Sequence, residues 1–525
     1  MHLLRPAHPV RRERREGRQG PREGRRDRPG VRADVPGAGD RLRRRRRPDL
    51  PGRGVAARRS RLPRAGGGQH ASRDHVPGAR QGRGPVSALA SSREIQEKVL
   101  ATQGRPGAVH TLLIVAAAAA AAFGAWCWSL QIRYGLQVSG LNRPVGWAIY
   151  ITNFVFWVGV AHSGTLISAV LFLLRARFRT AVYRVAEVMT VFGVMTAGLF
   201  PIIHLGRPWF AYWLFPYPNE RHLWVNFRSP LMWDVFAVST YFIVSAIFLT
   251  VGIVPDAAAL RDATKGWRRR FYGLFAFGWR GTDEEWRHYA RAYLYFAAFA
   301  TPLVFSVHSV VSWDFAVSIL PGWHSTIFPP YFVAGAIFSG VALVVTLLVP
   351  LRRILHLESL ITPWHLDMTS RVVLLTSLIV TYSYILEYVL AFRGPPSVER
   401  STLAYRATGP FAPLFWTMVA CNCVFPLLLF LKKVRARPAA LLAICVLVNV
   451  GMWLERFIII VTSLSHDRIP FDWAGIYRPT FVEAGITLGS LGWFFLWFLI
   501  FVRLLPVVSI SEMKEASVHG GEDAA

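Results

Sequence analysis

Ten stretches of this chain are long and apolar enough to cross the hydrocarbon core of a bilayer as helices, which takes about 20 apolar residues each. They run over 109–131, 146–174, 182–205, 230–254, 290–317, 331–350, 369–392, 411–431, 438–462 and 484–506. A backbone in lipid finds no water to bond, so segments of this kind are satisfied only as helices. The composition agrees: 53% of the 525 residues are hydrophobic, with 19 Trp and 35 Phe, which suits a bilayer better than water. The fold class expected is an all-α integral membrane protein of about ten transmembrane helices. An even number of spans places both termini on the same side.

The loops orient the spans. Lys and Arg are retained on the cytoplasmic side, and they cluster after the second, fourth, sixth and eighth segments as Arg175/Arg177/Arg179/Arg184, Lys265/Arg268/Arg269/Arg270, Arg352/Arg353 and Lys432/Lys433/Arg435/Arg437. These loops, and both termini, are expected in the cytoplasm. The opposite loops, such as 208–218 and 321–330, are rich in Trp, Tyr, Pro and His, the aromatic chemistry of a membrane surface, and are expected in the periplasm of a bacterium. The longest basic connection, 255–289, mixes Trp267, Phe271, Tyr272, Phe275, Phe277 and Trp279 with Arg. It is expected to hold an amphipathic helix anchored in the interface. A weak internal repeat lays His162-Ser163-Gly164 on Phe338-Ser339-Gly340 and, at the same offset of 176, Arg177 on Arg353. Chance likeness between two apolar helices is its rival.

The formal net charge of +29 would ordinarily point to nucleic acid, but it is unevenly spread. Residues 1–85 hold 25 Arg and 8 acidic residues, so +17 of the excess sits there and +12 on the remaining 440. That stretch has no Lys, Phe, Tyr or Trp and cannot bury a core. It is expected to be disordered, or not to be made at all: Arg, Gly, Pro and Ala without Lys is what GC-rich DNA yields in a wrong frame, with translation then starting near Val86. No nucleic-acid partner is expected. The domain plan is therefore an Arg-rich segment at 1–85, a cytoplasmic segment at 86–108, a transmembrane domain at 109–506 and a cytoplasmic tail at 507–525.

Several chemistries lack their motifs. The four cysteines, Cys127, Cys421, Cys423 and Cys445, fall in or beside apolar segments at spacings that fit no zinc or iron–sulfur pattern. The chain has no Cys-x-x-Cys-His, no Gly-rich dinucleotide loop and no phosphate loop. No metal, haem or iron–sulfur cluster is expected on this chain. Electrons moving here would have to leave to a partner.

Ionisable groups within transmembrane segments cost several kcal/mol unless paired or hydrated, so they are functional candidates by default. His162 lies near the middle of the second segment, Glu187 in the third, Asp234 near the outer end of the fourth, and His308 and Asp314 in the outer half of the fifth. Glu387 sits in the seventh and Glu455 beside Arg456 in the ninth. Structural readings compete: the histidines could simply bond across helices, Asp234 could pair with Arg228 or Arg207, Glu187 with Arg184, Glu455 with Arg456, and Asp314 could be solvated. The shared outer depth of Asp234, His308, Asp314, His204 and Arg207 favours function. His and carboxylate can take two protons from a quinol while Arg orients a carbonyl oxygen. A deeper row through His162, Glu187, Glu387 and Glu455 would suit a proton path.

Motifs in order along the chain then point to a family. Leu141-Asn-Arg-Pro-Val-Gly-Trp147, Gly159-Val-Ala-His-Ser-Gly-Thr165, Gly198-Leu-Phe-Pro-Ile-Ile-His-Leu-Gly-Arg-Pro208, Ser306-Val-His-Ser-Val-Val-Ser-Trp-Asp314 and 321–335 together resemble the polysulfide-reductase/NrfD-like membrane proteins. The likeness is greatest to the larger NrfD-like subunit of alternative complex III, over about residues 95–510. The resemblance implies two four-helix bundles plus flanking helices and oxidation of quinol, such as menaquinol, near the periplasmic face of the bacterial inner membrane. It implies His162, Asp234, His308 and Asp314 at the quinol site, with His204, Arg207 and Arg228 where the outer face meets an iron–sulfur partner. The implied partners are that periplasmic iron–sulfur protein, a multihaem cytochrome c and a second NrfD-like subunit, and Glu187, Glu387 and Glu455 would serve proton translocation. Rival readings are the membrane anchor of a molybdopterin or polysulfide-type reductase, a secondary transporter or proton channel, and a scaffold without a quinol site. The lack of Gly/Pro-broken helices at matching positions counts against transport.

Overall fold

The computed structural model describes residues 92–104, 107–394, 398–465, 467–468, 471–472 and 475–514, all within one unit of the chain. The Arg-rich segment at 1–85 lies outside the described residues. A short helix, α1 (Ser92–Ala101), precedes ten helices long and apolar enough to span a membrane. The ten are α2 (Ala108–Tyr134), α3 (Ile149–Leu173), α4 (Tyr183–His204), α5 (Pro230–Ala263), α7 (Asp283–Ala316), α8 (Phe328–Ile354), α9 (Pro363–Arg393), α11 (Ala412–Phe430), α12 (Pro438–Leu464) and α13 (Phe481–Leu504). The shorter α6 (Trp267–Phe275) and α10 (Val398–Thr408) lie in connections. A two-residue strand pair, Asp467–Arg468 with Phe471–Asp472, follows α12.

Two helices run past their expected ends. Both α5 and α7 have 34 residues, about 51 Å at 1.5 Å per residue, so the expected 255–289 connection shrinks to 264–282. Hydropathy lost these turns because they are polar, but a helix continues wherever its backbone ladder and caps are satisfied. Thr282 starts α7 with a capping box closed by Glu285, and Asp256 extends α5 by joining a buried ion pair. The expected amphipathic helix is α6, with Trp267 and Leu274 exposed and Tyr272 buried. Residues 507–514, which open the expected tail, pack against the helices, with Val507, Val508, Ile510 and Met513 all buried.

Burial separates the centre from the flank. The most apolar window of α3 and of α8 is 83% buried, against 17% for α2. Helix α3 packs on α4, α7, α8 and α12; α5 packs on α4 and α7; α8 packs on α7, α9 and α12; α11 packs on α12. The flanking α2 and α13 lie together, with α13 also against α4. Asn153 stitches three of these helices, taking a hydrogen bond from Trp453 on α12 at 2.8 Å and giving one to Thr487 on α13 at 2.9 Å.

In lipid, helices gain little from the hydrophobic effect and associate where small residues let backbones approach. The two glycines of the matched triplets occupy such places. A methyl group at Gly164 would overlap the Ala186 carbonyl of α4, and one at Gly340 would lie 2.5 Å from the Val160 carbonyl of α3. The offset of 176 lays α3, α4 and α5 on α8, α9 and α11, then fails at α7, since α12 begins earlier. The eighth span is irregular: a π-turn at Ala420–Val424 passes into a 3-10 stretch at Phe425–Phe430, where Pro426 lacks the N–H that a regular helix needs. Its counterpart α5 is unbroken there.

Gly340→Ala should therefore push α3 and α8 apart, at a cost of roughly 1–3 kcal/mol for overpacking, read as a lower melting temperature in detergent. Gly146→Ala, where nothing lies within 4 Å, should leave it unchanged. Equal melting of both variants would contradict this packing.

Candidate functional site

The midpoint of α3 meets α5, α7 and α12 at a cluster of polar side chains in an otherwise apolar interior. The His162 ring stacks on Tyr241 of α5, with centroids 4.6 Å apart and an interplanar angle of 18°, and lies 4.7 Å from the His308 ring of α7. His162 Nδ1 is 2.6 Å from the Val158 carbonyl. A carbonyl only accepts, so Nδ1 carries the proton and Nε2 of the neutral ring is left as an acceptor. That Nε2 has no hydrogen-bond partner, and neither nitrogen of His308 has one of good geometry. The Tyr241 hydroxyl donates to the Ala161 carbonyl at 3.0 Å and sits 2.7 Å from Thr165, which holds its ring flat against His162.

Arg456 reaches this cluster from α12. Its Nη1 pairs with the Glu455 carboxylate, while Nε and Nη2 are buried with no partner. A methyl group at Gly159 would lie 3.6 Å from the His308 ring and 3.7 Å from Arg456 Nη2, which places the His308 ring and the guanidinium edge beside the same turn of α3. The guanidinium also lies over the Phe332 ring at 5.6 Å. Two unpartnered imidazole edges and an unpartnered guanidinium edge thus converge in a buried interior, where such groups are costly unless something completes them.

Toward the aromatic-loop end, Asp234 in the second turn of α5 and Asp314 in the last turn of α7 are buried against one another. The expected partners of Asp234 are elsewhere: Arg207 and Arg228 are exposed, Arg207 lying over Trp209, and neither forms an ion pair among the described residues. Burial also rules out simple solvation of Asp314. Two carboxyls in one site repel when both are charged, which makes the pair a place to take up and release a proton. His204 is set apart, its ring 6.4 Å from Tyr150 near α2, with Nδ1 unpartnered.

Of the expected proton-path carboxylates, the structure brings two together. Glu387 and Glu455 line one cavity of about 400 Å3 between α9, α10, α11 and α12. There Glu387 pairs with Arg406 at 2.8 Å, and Tyr384 donates to Glu455. Glu187 lies in a different cluster, between Arg184 at 3.3 Å and the Tyr293 hydroxyl at 3.0 Å. Arg184 also holds Asp256 at 3.0 Å and the Gly252 carbonyl at 2.7 Å, and Asp256 accepts the Ile510 N–H at 3.0 Å. This network ties residues 510–511 to α4 and α5.

The model of the polysulphide reductase NrfD family matches residues 137–466, well over half of the chain. This chain belongs to the NrfD family. It is a multi-pass integral membrane protein, with ten apolar helices among the described residues. It is 24% identical, over 76% of its own length and 92% of the relative's, to a dimethyl sulfoxide reductase membrane subunit of Halobacterium salinarum. It is 21% identical over 74% and 92% to a selenate reductase subunit of Mesobacillus selenatarsenatis. A third relative, the Hdr-like menaquinol oxidoreductase integral membrane subunit of Archaeoglobus fulgidus, is 23% identical over 44% and 48%.

The NrfD match spans the His162–His308–Arg456 cluster, the Asp234–Asp314 pair and the carboxylates Glu187, Glu387 and Glu455. Three contributors carry little signal in the sequence: Tyr241, which resembles any interior aromatic; Asp256, which falls outside the expected fourth segment; and the free edge of Arg456, hidden behind its evident partner Glu455.

Arg184→Met would leave Glu187 and Asp256 buried without their cation, and removing one partner of a buried pair costs about 3–5 kcal/mol. The melting temperature in detergent should fall well below that of Glu187→Gln, which keeps the cation and one carboxylate. A melting temperature equal to wild type would contradict the structural role of this network.

Proposed function

We propose that this NrfD-family chain is the quinol-oxidising membrane subunit of an alternative complex III, a quinol:cytochrome c oxidoreductase of the bacterial inner membrane. One observation carries the reading: His162, His308 and Arg456 converge with unpartnered polar edges, a few turns from the buried Asp234–Asp314 pair. Oxidation of a quinol releases two protons and two electrons. His162 Nε2 is a free base for one proton, the carboxyl pair can take the other toward the aromatic-loop face, and the open edge of Arg456 can hold the oxygen from which a proton departs. The likeness to the Archaeoglobus menaquinol oxidoreductase subunit supports quinone, with menaquinone as one candidate, as the substrate.

The electrons pass, in this reading, to a periplasmic iron–sulfur protein and a multihaem cytochrome c, beside a second NrfD-like membrane subunit. The segment from His204 onward, with exposed Arg207 and Arg228, is the surface proposed to meet the iron–sulfur partner. Helices α3, α4, α5 and α7 and helices α8, α9, α11 and α12 are proposed as two four-helix bundles flanked by α2 and α13, with both termini cytoplasmic. Glu387 and Glu455 are the groups proposed to move protons across the second bundle. Glu187, held by Arg184 and Tyr293, lies in a separate cluster.

A second reading, the membrane anchor of a molybdopterin or polysulfide-type reductase, draws on the names of the dimethyl sulfoxide and selenate reductase relatives. Purification of the tagged chain in mild detergent separates the two. Co-purification of c-type haem bands and an iron–sulfur protein, with quinol:cytochrome c activity, is the expected result. A molybdopterin subunit in their place would establish the anchor, and a colourless chain purifying alone would overturn both.

A further inference from the structure

Where α6 meets the start of α2 and the end of α13, two arginines are held together by a shared neighbour. Arg268, in the first turn of α6, donates from Nη1 to the Gln103 carbonyl at 3.2 Å, and the buried Gln103 side chain donates to the Val502 carbonyl at 3.5 Å. That bridge brings Arg268 to the last turn of α13, where Arg503 stands close enough to repel it. Tyr272, one turn on from Arg268 and buried, lies within reach of both charges. Among the described residues no acid forms an ion pair with either guanidinium. Asp262, the acid of the preceding turn, is taken by Arg261 at 2.8 and 3.1 Å, and Lys265, Arg269 and Arg270 add exposed charge of the same sign.

Like charges at close range cost energy, which an anion between them recovers. The surroundings choose the anion. Helix α6 turns Trp267 and Leu274 outward, and Phe277 just beyond it is exposed too. On the other side His110 of α2 lies near Arg503, and its neighbours Val109, Leu112 and Leu113 are exposed. A soluble acidic protein or a nucleic acid would leave these apolar side chains in water. A phospholipid covers them: its phosphate accepts from the two guanidiniums at the level where an amphipathic helix rides in the interface, and its acyl chains lie along the outward face of α2, the least buried of the ten spans.

We propose that Arg268 and Arg503 form a binding site for the phosphate of an anionic phospholipid such as phosphatidylglycerol, seated between α6 and the paired ends of α2 and α13. A zwitterionic lipid fits less well, because its amine meets the same cluster of cations. The site does not depend on the quinol reading.

Native mass spectrometry reads the choice. The purified protein, delipidated in mild detergent, is given equal amounts of phosphatidylglycerol and phosphatidylcholine with the same acyl chains. Phosphatidylglycerol adducts should exceed phosphatidylcholine adducts at least about fivefold, and Arg503→Gln should lower that ratio about fivefold, the effect of one cation near a lipid surface. Lys433→Gln, which removes an exposed cation of another basic loop, should leave the ratio unchanged. Equal binding of the two lipids would overturn the proposal. So would an equal loss in Lys433→Gln, which would leave only a diffuse basic surface, or displacement of the lipid by excess inorganic phosphate, which would mark a site for the free anion. Melting separates binding from a structural role: in phosphatidylcholine nanodiscs Arg503→Gln should be no less stable than wild type, since a repulsion is removed, and in phosphatidylglycerol it should lack the gain that wild type shows. The same loss of stability in both lipids would make Arg503 structural and overturn the site. If Arg503→Gln does not assemble, a phosphatidylglycerol with a photoreactive headgroup decides on wild type: adducts within 267–276 or 499–505 support the site, and adducts confined elsewhere overturn it.

Discussion

Arg456 is the residue on which the interior depends. A guanidinium buried within a membrane span is tolerated only when its charge is answered, and Glu455 answers it from the adjacent position on the same helix. That local pairing frees the far edge of the guanidinium to point away from α12 toward α3 and α7, where His162 and His308 meet. A glycine eases the reach: a methyl at Gly335 would lie 3.1 Å from Nη2. The ion pair thereby joins the half of the chain that holds the histidines to the half that holds the large cavity.

Charge elsewhere in the interior follows the same pattern with different outcomes. Arg184 is saturated by Glu187, Asp256 and a carbonyl save for its Nε, and Arg406 by Glu387, Ser463 and the Gly322 carbonyl, again save for Nε. Such nearly closed networks hold helices in register. The His162–His308 cluster and the Asp234–Asp314 pair are open, with acceptors and donors that the protein does not complete. The contrast between closed and open polar groups, more than the presence of charge, separates the candidate quinol cluster from the rest of the interior.

Much of this was legible in the sequence, for definable reasons. The ten spans were, because hydrophobic length is a one-dimensional property. So were His162, His308, Asp234 and Asp314, because an ionisable group in an apolar run is conspicuous. Their partners were not. Asp234 faces Asp314 and not Arg207 or Arg228, because the rotation of α5 and α7 about their axes is set by packing, which no single segment records. Glu387 and Glu455, from different helices, share a cavity while Glu187 stands apart for the same reason. The extra turns of α5 and α7 escaped because a helix outlasts the lipid that hydropathy detects.

The central proposal is that quinol gives up its protons at the open polar cluster while its electrons leave to the iron–sulfur partner. The direct test is the rate of decylubiquinol oxidation by the intact purified complex carrying His162→Ala or Asp234→Asn, with subunit content and melting temperature checked alongside. The account predicts a fall of roughly tenfold or more in each variant, with assembly preserved. An unchanged rate in both, in complexes as stable as wild type, would contradict it and leave the chain a scaffold.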